Sequence, residues 1–264
     1  MKKIVFTGLL FLTACSTKQL ATGSNTQNAS IVADGKMYAT IFQQKAAEYR
    51  ALCFQAYNIA RLRLDNYQPL TNKPKAIITD IDETLLDNSP YEAHQVLQGK
   101  DYEPASWYEW TAKASADTMP GSASFLKYAA SKGVIIFYIT NRDEKEKAAT
   151  IKNLRLFNLP NADSAHFMSR QNTSSKEVRR QNVANSHEIV MLLGDNLADF
   201  SSLFDKKSIN DRLMNTNSSA ADFGNRFIVL PNPVYGDWES VLYNYNKYTL
   251  AQKDSVMKTI LKTY

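Results

Sequence analysis

Apolar and polar positions alternate along this chain in two distinct rhythms. Nearly unbroken apolar runs occur at "AIITDI" (76–81), "VIIFYIT" (134–140), "EIVMLLGD" (188–195) and "RFIVLPN" (226–232), with a shorter one around His166 to Ser169. Runs of this length without polar alternation predict strands covered on both faces. Between them the spacing is helical. From Met37 to Tyr67 apolar positions recur with Phe42, Tyr49, Cys53, Tyr57 and Ala60 on one face, and Pro69 and Pro74 end that segment. Pro120 opens a further helix that Gly133 closes, a charged helix runs from Asp143 to Pro160, and another holds Lys176. Strands alternating with helices predict an α/β fold built on a doubly wound parallel sheet. Residues 87–118, with Trp107, Tyr108 and Trp110, break the rhythm and predict an inserted, mainly helical cap, to which about 37–70 also contributes.

The N-terminus follows a different logic. "MKKIVFTGLLFLTAC" places Lys2 and Lys3 before an apolar run from Ile4 to Leu12, too short to anchor a bilayer span. It predicts a signal peptide over 1–14. The small residues before Cys15 resemble the bacterial lipobox, which implies cleavage and lipidation at Cys15. Polar, small residues then predict a flexible tether over 15–36, leaving 37–264 as the folded domain. Ser16 after the cysteine resembles Gram-negative lipoproteins sent to the outer membrane, so the expected location is that membrane, through a lipid anchor.

Composition removes some classes. With 44% hydrophobic and 22% charged residues in 264, the chain is ordinary for a globular domain. The net charge of +5 is dispersed, with no basic block, which argues against nucleic acid as a partner and for small anions. Once Cys15 is lipidated, Cys53 alone remains, so no internal disulfide forms. His94, His166 and His187 are scattered without metal-ligand spacing.

The chemistry lies where the strands end. "TDIDET", "ITNR" and "LLGDNLADF" finish three of the runs, and parallel sheets bind ligands beyond their carboxyl ends. Asp80, Asp82, Asp195 and Asp199 would therefore meet Thr140 and Lys176 on one edge. Crowded carboxylates are costly unless a hard divalent cation neutralises them, and magnesium suits such oxygen ligands. A strand-end carboxylate can attack phosphorus to give an aspartyl-phosphate. A second carboxyl two residues on, Asp82, can protonate the leaving oxygen and later activate water. A hydroxyl and a cation, Thr140 and Lys176, suit the spread charge of a phosphoryl group.

These motifs are similar to the four of the haloacid dehalogenase superfamily. "IITDIDETLLDNSPY" and "VMLLGDNLADF" closely resemble the signatures of class C bacterial acid phosphatases, the lipoprotein 5′-nucleotidase family. The resemblance implies a haloacid dehalogenase-like sheet with a smaller helical cap and Mg2+ as cofactor. It makes Asp80 nucleophile and metal ligand, and Asp82 the acid/base, bound to the metal through its carbonyl. Asp195 completes the metal ligands and Asp199 orients them. Thr140, Asn141 and Lys176 hold the phosphate. Two aromatic residues sandwich the base in that family, and the matching positions here are Tyr57 and Tyr235. The implied activity is phosphomonoester hydrolysis on nucleoside 5′-monophosphates, nicotinamide mononucleotide and aryl phosphates, with room for a homodimer. The competing expectation is a surface ligand-binding lipoprotein on an inactive phosphatase fold, which would have no need of an acid/base at Asp82.

Overall fold

The computed structural model describes residues 30–264. The expected signal peptide, Cys15 and the tether as far as residue 29 lie outside the described residues. Helices α1 (Ile31–Lys45) and α2 (Ala47–Asp65) precede the first strand, β1 (Lys75–Thr79). Short strands β2 (Leu86–Asp87) and β3 (Asp117–Thr118) bracket α3 (Ser89–Leu97) and α4 (Pro104–Ala112). There follow α5 (Ser122–Ser131), β4 (Ile135–Asp143), α6 (Lys147–Leu156), β5 (Phe167–Arg170), α7 (Glu177–Ser186) and β6 (Glu188–Gly194). The chain closes with α8 (Ile209–Ser218), β7 (Phe227–Val229), α9 (Asp237–Ser240) and α10 (Leu250–Ile260). Among the described residues no helix is long and apolar enough to cross a membrane.

The five main strands pair in parallel in the order β5-β4-β1-β6-β7. β1 is the central strand, hydrogen-bonded to β4 on one side and β6 on the other. Its side chains alternate between two cores. Ile77 joins Tyr49, Cys53, Leu126, Ile136 and Leu154 beneath α2, α5 and α6. Ala76 and Ile78 join Val183, Phe200 and Phe227 on the opposite face. The chain leaves β1 for β4 on one side and returns to β6 on the other, so the switch point lies at the carboxyl end of β1, where such folds open a crevice.

The structure corrects two boundaries. The folded part begins at Ile31 rather than 37, because Ser30 caps α1 by accepting a hydrogen bond from the Ala33 amide. The single helical face expected over 37–67 is broken at Ala46, which is extended (φ −78°, ψ 128°). α2 keeps Tyr49, Cys53, Tyr57 and Ala60 in the main core, so it covers the sheet and is not part of a cap. Phe42, on the far side of the break, is left partly exposed. The insertion between β2 and β3 is more regular than its sequence suggests. Its aromatic residues pack on one another, Tyr91 against Trp107 at 5.1 Å and Tyr102 against Trp107 at 6.1 Å.

Candidate active site

Asp80 follows β1 directly, and its amide bonds to the Leu193 carbonyl of β6, which fixes it at the switch point. The backbone then turns sharply. The amides of Leu85 and Leu86 both return to the Ile81 carbonyl, and Glu83 takes the left-handed conformation at φ 52°. This tight loop sends the carboxyls of Asp80 and Asp82 into one crevice.

Four further segments supply the surroundings. Lys176, buried at the start of α7, reaches Asp80 Oδ1 and lies 2.7 Å from Asp199 Oδ1. Asp199 follows β6 and accepts the Asn196 amide at 3.0 Å. Gly194 leaves space for it, because a Cβ there would come within 2.4 Å of Asp199 Oδ2. Asp195 accepts from Thr84 Oγ1 at 3.2 Å and from Asn232 Nδ2 at 2.8 Å. Thr140, fully buried in the C-terminal half of β4, accepts the Arg142 amide at 3.1 Å, which leaves its hydroxyl proton to donate elsewhere.

The electrostatics suit a cation. Oxygens of Asp80, Asp195 and Asp199 can all lie within 4.8 Å of one another, yet one ammonium, Lys176, is shared between two of them. Burial, more than the neighbouring carboxylates, raises Asp80 and Asp195 above the usual carboxylate range. A closed set of hard oxygen donors with surplus negative charge fits a divalent ion such as Mg2+. Asp80, Asp195 and Asp199 are the carboxylates that could hold such an ion, with both Asp199 oxygens already engaged, by Lys176 and by the Asn196 amide.

Asp82 is held in a way the sequence motifs do not reveal. Arg142 donates from Nη2 at 2.7 Å and from Nε at 3.0 Å to Oδ1, and from Nε at 3.2 Å to Oδ2. Asn88 adds a bond to Oδ1 at 2.8 Å. Arg142 is itself fixed by Thr150 Oγ1 at 3.0 Å and lies against the Trp107 ring. Trp110 Nε1 donates to Asn88 Oδ1 at 2.9 Å. Both insertion tryptophans thus back the groups that hold the acid/base candidate.

The two tyrosines diverge. Tyr235 is half-buried beside the site, with its hydroxyl on Glu83 Oε2, and its segment is tied in by Asn232 on Asp195. Tyr57 is a core residue. It is 3% exposed, packs on Phe125 and donates to the Thr84 carbonyl, so it offers no ring face to a ligand. The expected base contact from Tyr57 is corrected on that ground. Helical periodicity placed it properly on the buried face of α2, and burial there is what removes it from the crevice. Thr84, Asn88, Arg142 and Asn232 escaped the sequence reading. A signal existed for all four, since they stand inside the quoted stretches "TDIDET", "LLDNSPY", "ITNR" and "RFIVLPN".

Fold and site together define a phosphatase of the haloacid dehalogenase type, a phosphomonoesterase. Residues 1–238 match the family described as HAD superfamily, subfamily IIIB (acid phosphatase), and the chain belongs to that family. It is similar to the class C acid phosphatase from Bacillus anthracis, at 45% identity with a TM-score of 0.85, covering 88% of this chain and 99% of that one. A structure of the class C acid phosphatase from Bacillus anthracis with tungstate bound matches at 44% identity and the same TM-score, covering 89% and 100%. A shorter stretch of 77 residues is 27% identical to acid phosphatase 1 of Solanum lycopersicum, covering 29% of this chain and 30% of the tomato protein.

Proposed function

We propose that this protein is an exported, lipid-anchored phosphatase that hydrolyses nucleoside 5′-monophosphates, nicotinamide mononucleotide and simple aryl phosphates through a phosphorylated Asp80. The observation that carries the reading is the pairing of a buried strand-end carboxylate, Asp80, with a second one at Asp82 held by Arg142 and Asn88. A binding module has no use for an oriented acid/base two residues from a nucleophile. Tungstate, a tetrahedral oxyanion like phosphate, is bound to the Bacillus anthracis relative, which supports an oxyanion ligand for this family of folds.

In the first step an Asp80 oxygen forms a bond to phosphorus while the ester P–O bond breaks, and Asp82 gives its proton to the leaving oxygen. In the second, Asp82 takes a proton from water as that water attacks phosphorus, releasing phosphate and restoring Asp80. Lys176, Thr140 and Asn141 donate to the equatorial oxygens throughout. A divalent cation on Asp80 and Asp195, with the Asp82 carbonyl, supplies further positive charge to those oxygens when bound. Asp199 keeps Lys176 in place. Tyr235 stacks on the base, since an aromatic ring adds about 1–3 kcal/mol per stacked base.

Phosphate release from a panel of nucleotides, aryl and small alkyl phosphates, with and without chelator, tests this reading. Turnover is expected to vanish on chelation and return with Mg2+; full activity without divalent ions would remove the metal assignment. In the same panel Tyr235→Ala should raise KM for nucleotides by roughly tenfold, equivalent to ~1.4 kcal/mol, and leave alkyl phosphates nearly unchanged. Equal losses on both would make the tyrosine a support of the fold.

The anchor rests on residues 1–16 alone. Cys15→Ser should shift the protein out of the membrane fraction or leave it as a longer precursor. Unchanged size and partition would reject lipidation at Cys15.

A further inference from the structure

One buried cation beside the phosphate crevice has no part in the scheme above. Arg179 is 7% exposed and lies three residues after Lys176, on the same side of α7. Its guanidinium contacts two separate pieces of the candidate phosphate site. Nη1 donates to the Thr140 carbonyl at 2.6 Å. Nη2 donates to Asn141 Oδ1 at 2.9 Å, to the Ser175 carbonyl at 3.1 Å and to the Ser174 carbonyl at 3.4 Å. One planar fork therefore ties the end of β4 to the segment that delivers Lys176.

Two physical consequences follow. A guanidinium has donors and no acceptor, so the Asn141 amide must turn its oxygen towards Arg179. That leaves the Asn141 NH2 as the group available to a ligand. An anion needs donors, and the opposite amide orientation would present an oxygen to phosphate and repel it. The amide itself is solvent-exposed and would otherwise sample both orientations.

The second consequence concerns charge. Among the described residues Arg179 forms no ion pair with a carboxylate. All its acceptors are neutral amide oxygens. Burying this cation without a directly bonded counterion is costly, and the charges of Asp80 and Asp199 nearby offset that cost only in part, since burial still lowers the guanidinium below the usual arginine range. That cost is offset when an anion enters beside it.

We propose that Arg179 is a positioning residue for the phosphoryl group: it fixes Asn141 as a hydrogen-bond donor and locks the β4 terminus in register with Lys176. The inference rests on the phosphatase reading but adds to it a residue that need not touch substrate. It is distinct from a simple fold support, because its partners are the phosphate-binding candidates themselves and it bridges them with a geometry that lysine cannot reproduce.

The test compares wild type with Arg179→Met, Arg179→Lys, Asn141→Ala and the double variant Arg179→Met/Asn141→Ala. The readouts are kcat, KM and the competitive inhibition constant for inorganic phosphate, with thermal unfolding as a control for folding. Arg179→Met is expected to raise KM and the phosphate inhibition constant by about tenfold, with a smaller fall in kcat. Arg179→Lys should keep most of that defect, because it restores charge without the fork. The double variant should be little worse than Arg179→Met alone, since both changes remove one coupled donor. Wild-type phosphate affinity in Arg179→Met, full rescue by lysine, or strictly additive losses would each overturn the positioning role while leaving the phosphatase reading intact. If Arg179→Met fails to fold, the lysine variant and Asn141→Ala carry the comparison. Wild-type protein that inorganic phosphate does not inhibit would overturn both.

Discussion

Asp80→Asn is expected to abolish phosphate release, lowering turnover by at least about 10⁴-fold, or ~5.5 kcal/mol in barrier. The amide keeps the shape of the carboxyl but cannot attack phosphorus, and no neighbouring carboxylate replaces it. Asp82 is held away by Arg142 and Asn88, and Asp199 is engaged by Lys176. Acid quenching during turnover should trap a phosphorylated wild-type chain, with a mass increase located on the peptide that contains Asp80, and no such species in the variant. Residual turnover within tenfold of wild type would sink the nucleophile assignment.

Stability should move the other way. Burial raises the Asp80 carboxyl from 3.8 to about 7 in the metal-free protein. The unfolded chain then holds fewer protons than the folded one between those values, so ionising Asp80 costs stability as pH rises through that window. Asparagine removes the cost. Metal-free Asp80→Asn is therefore expected to melt no lower than wild type at neutral pH, and a marked drop in Tm would mean that the carboxylate supports the fold. A destabilised but reactive group is the usual trade at a working site.

Asp82→Asn is the second large effect, and its size depends on the substrate. Proton transfer to the leaving oxygen is worth about 10²–10⁴-fold, so alkyl phosphates, whose alkoxides leave poorly, should lose that much. Nitrophenyl phosphate, with an acidic leaving group, should form the intermediate nearly as fast as before, and its defect should appear in hydrolysis of the intermediate. A burst of nitrophenol followed by slow turnover is the expected signature. Asparagine can still accept from Arg142 through its amide oxygen, but it removes the carboxylate paired with that buried guanidinium, so Tm should fall as well and the readout that separates the two effects is the dependence on leaving group. Equal losses for both leaving groups, with no burst, would show that Asp82 does not handle the proton.

The strand ends were legible from the sequence because burial on both faces forces a continuous apolar run, and such a run must stop where the chain meets solvent. An acid set directly after it can only lie at the sheet edge. That constraint sets Asp80, Thr140 and Asp195 at one edge from local sequence alone, and the parallel order of the strands puts their strand ends side by side. The same reasoning misjudged α1. Nothing local marks Ala46 as a break, and a face projected through it put Phe42 with the core. The extended backbone there is imposed by packing, with α1 against α3 and α10 and α2 against the sheet.

The sequence by itself determined the α/β class, the sheet edge at which the candidate site lies and the spacing of Asp80 and Asp82. These depend on neighbours within a few residues, where periodicity and chain geometry leave little freedom. Tertiary structure decided which side chains hold those carboxyls and which aromatic ring reaches the crevice. Arg142 meets Asp82 across 60 positions, Tyr235 meets Glu83 across 152 and Arg179 meets Thr140 across 39. An arginine in a motif has the same formula whether it faces water or is buried on a carboxylate, and a tyrosine on a helix face has the same period whether or not it is sealed beneath the sheet. Only the packing of distant elements removes water from one and not the other, and that removal gives each contact its strength.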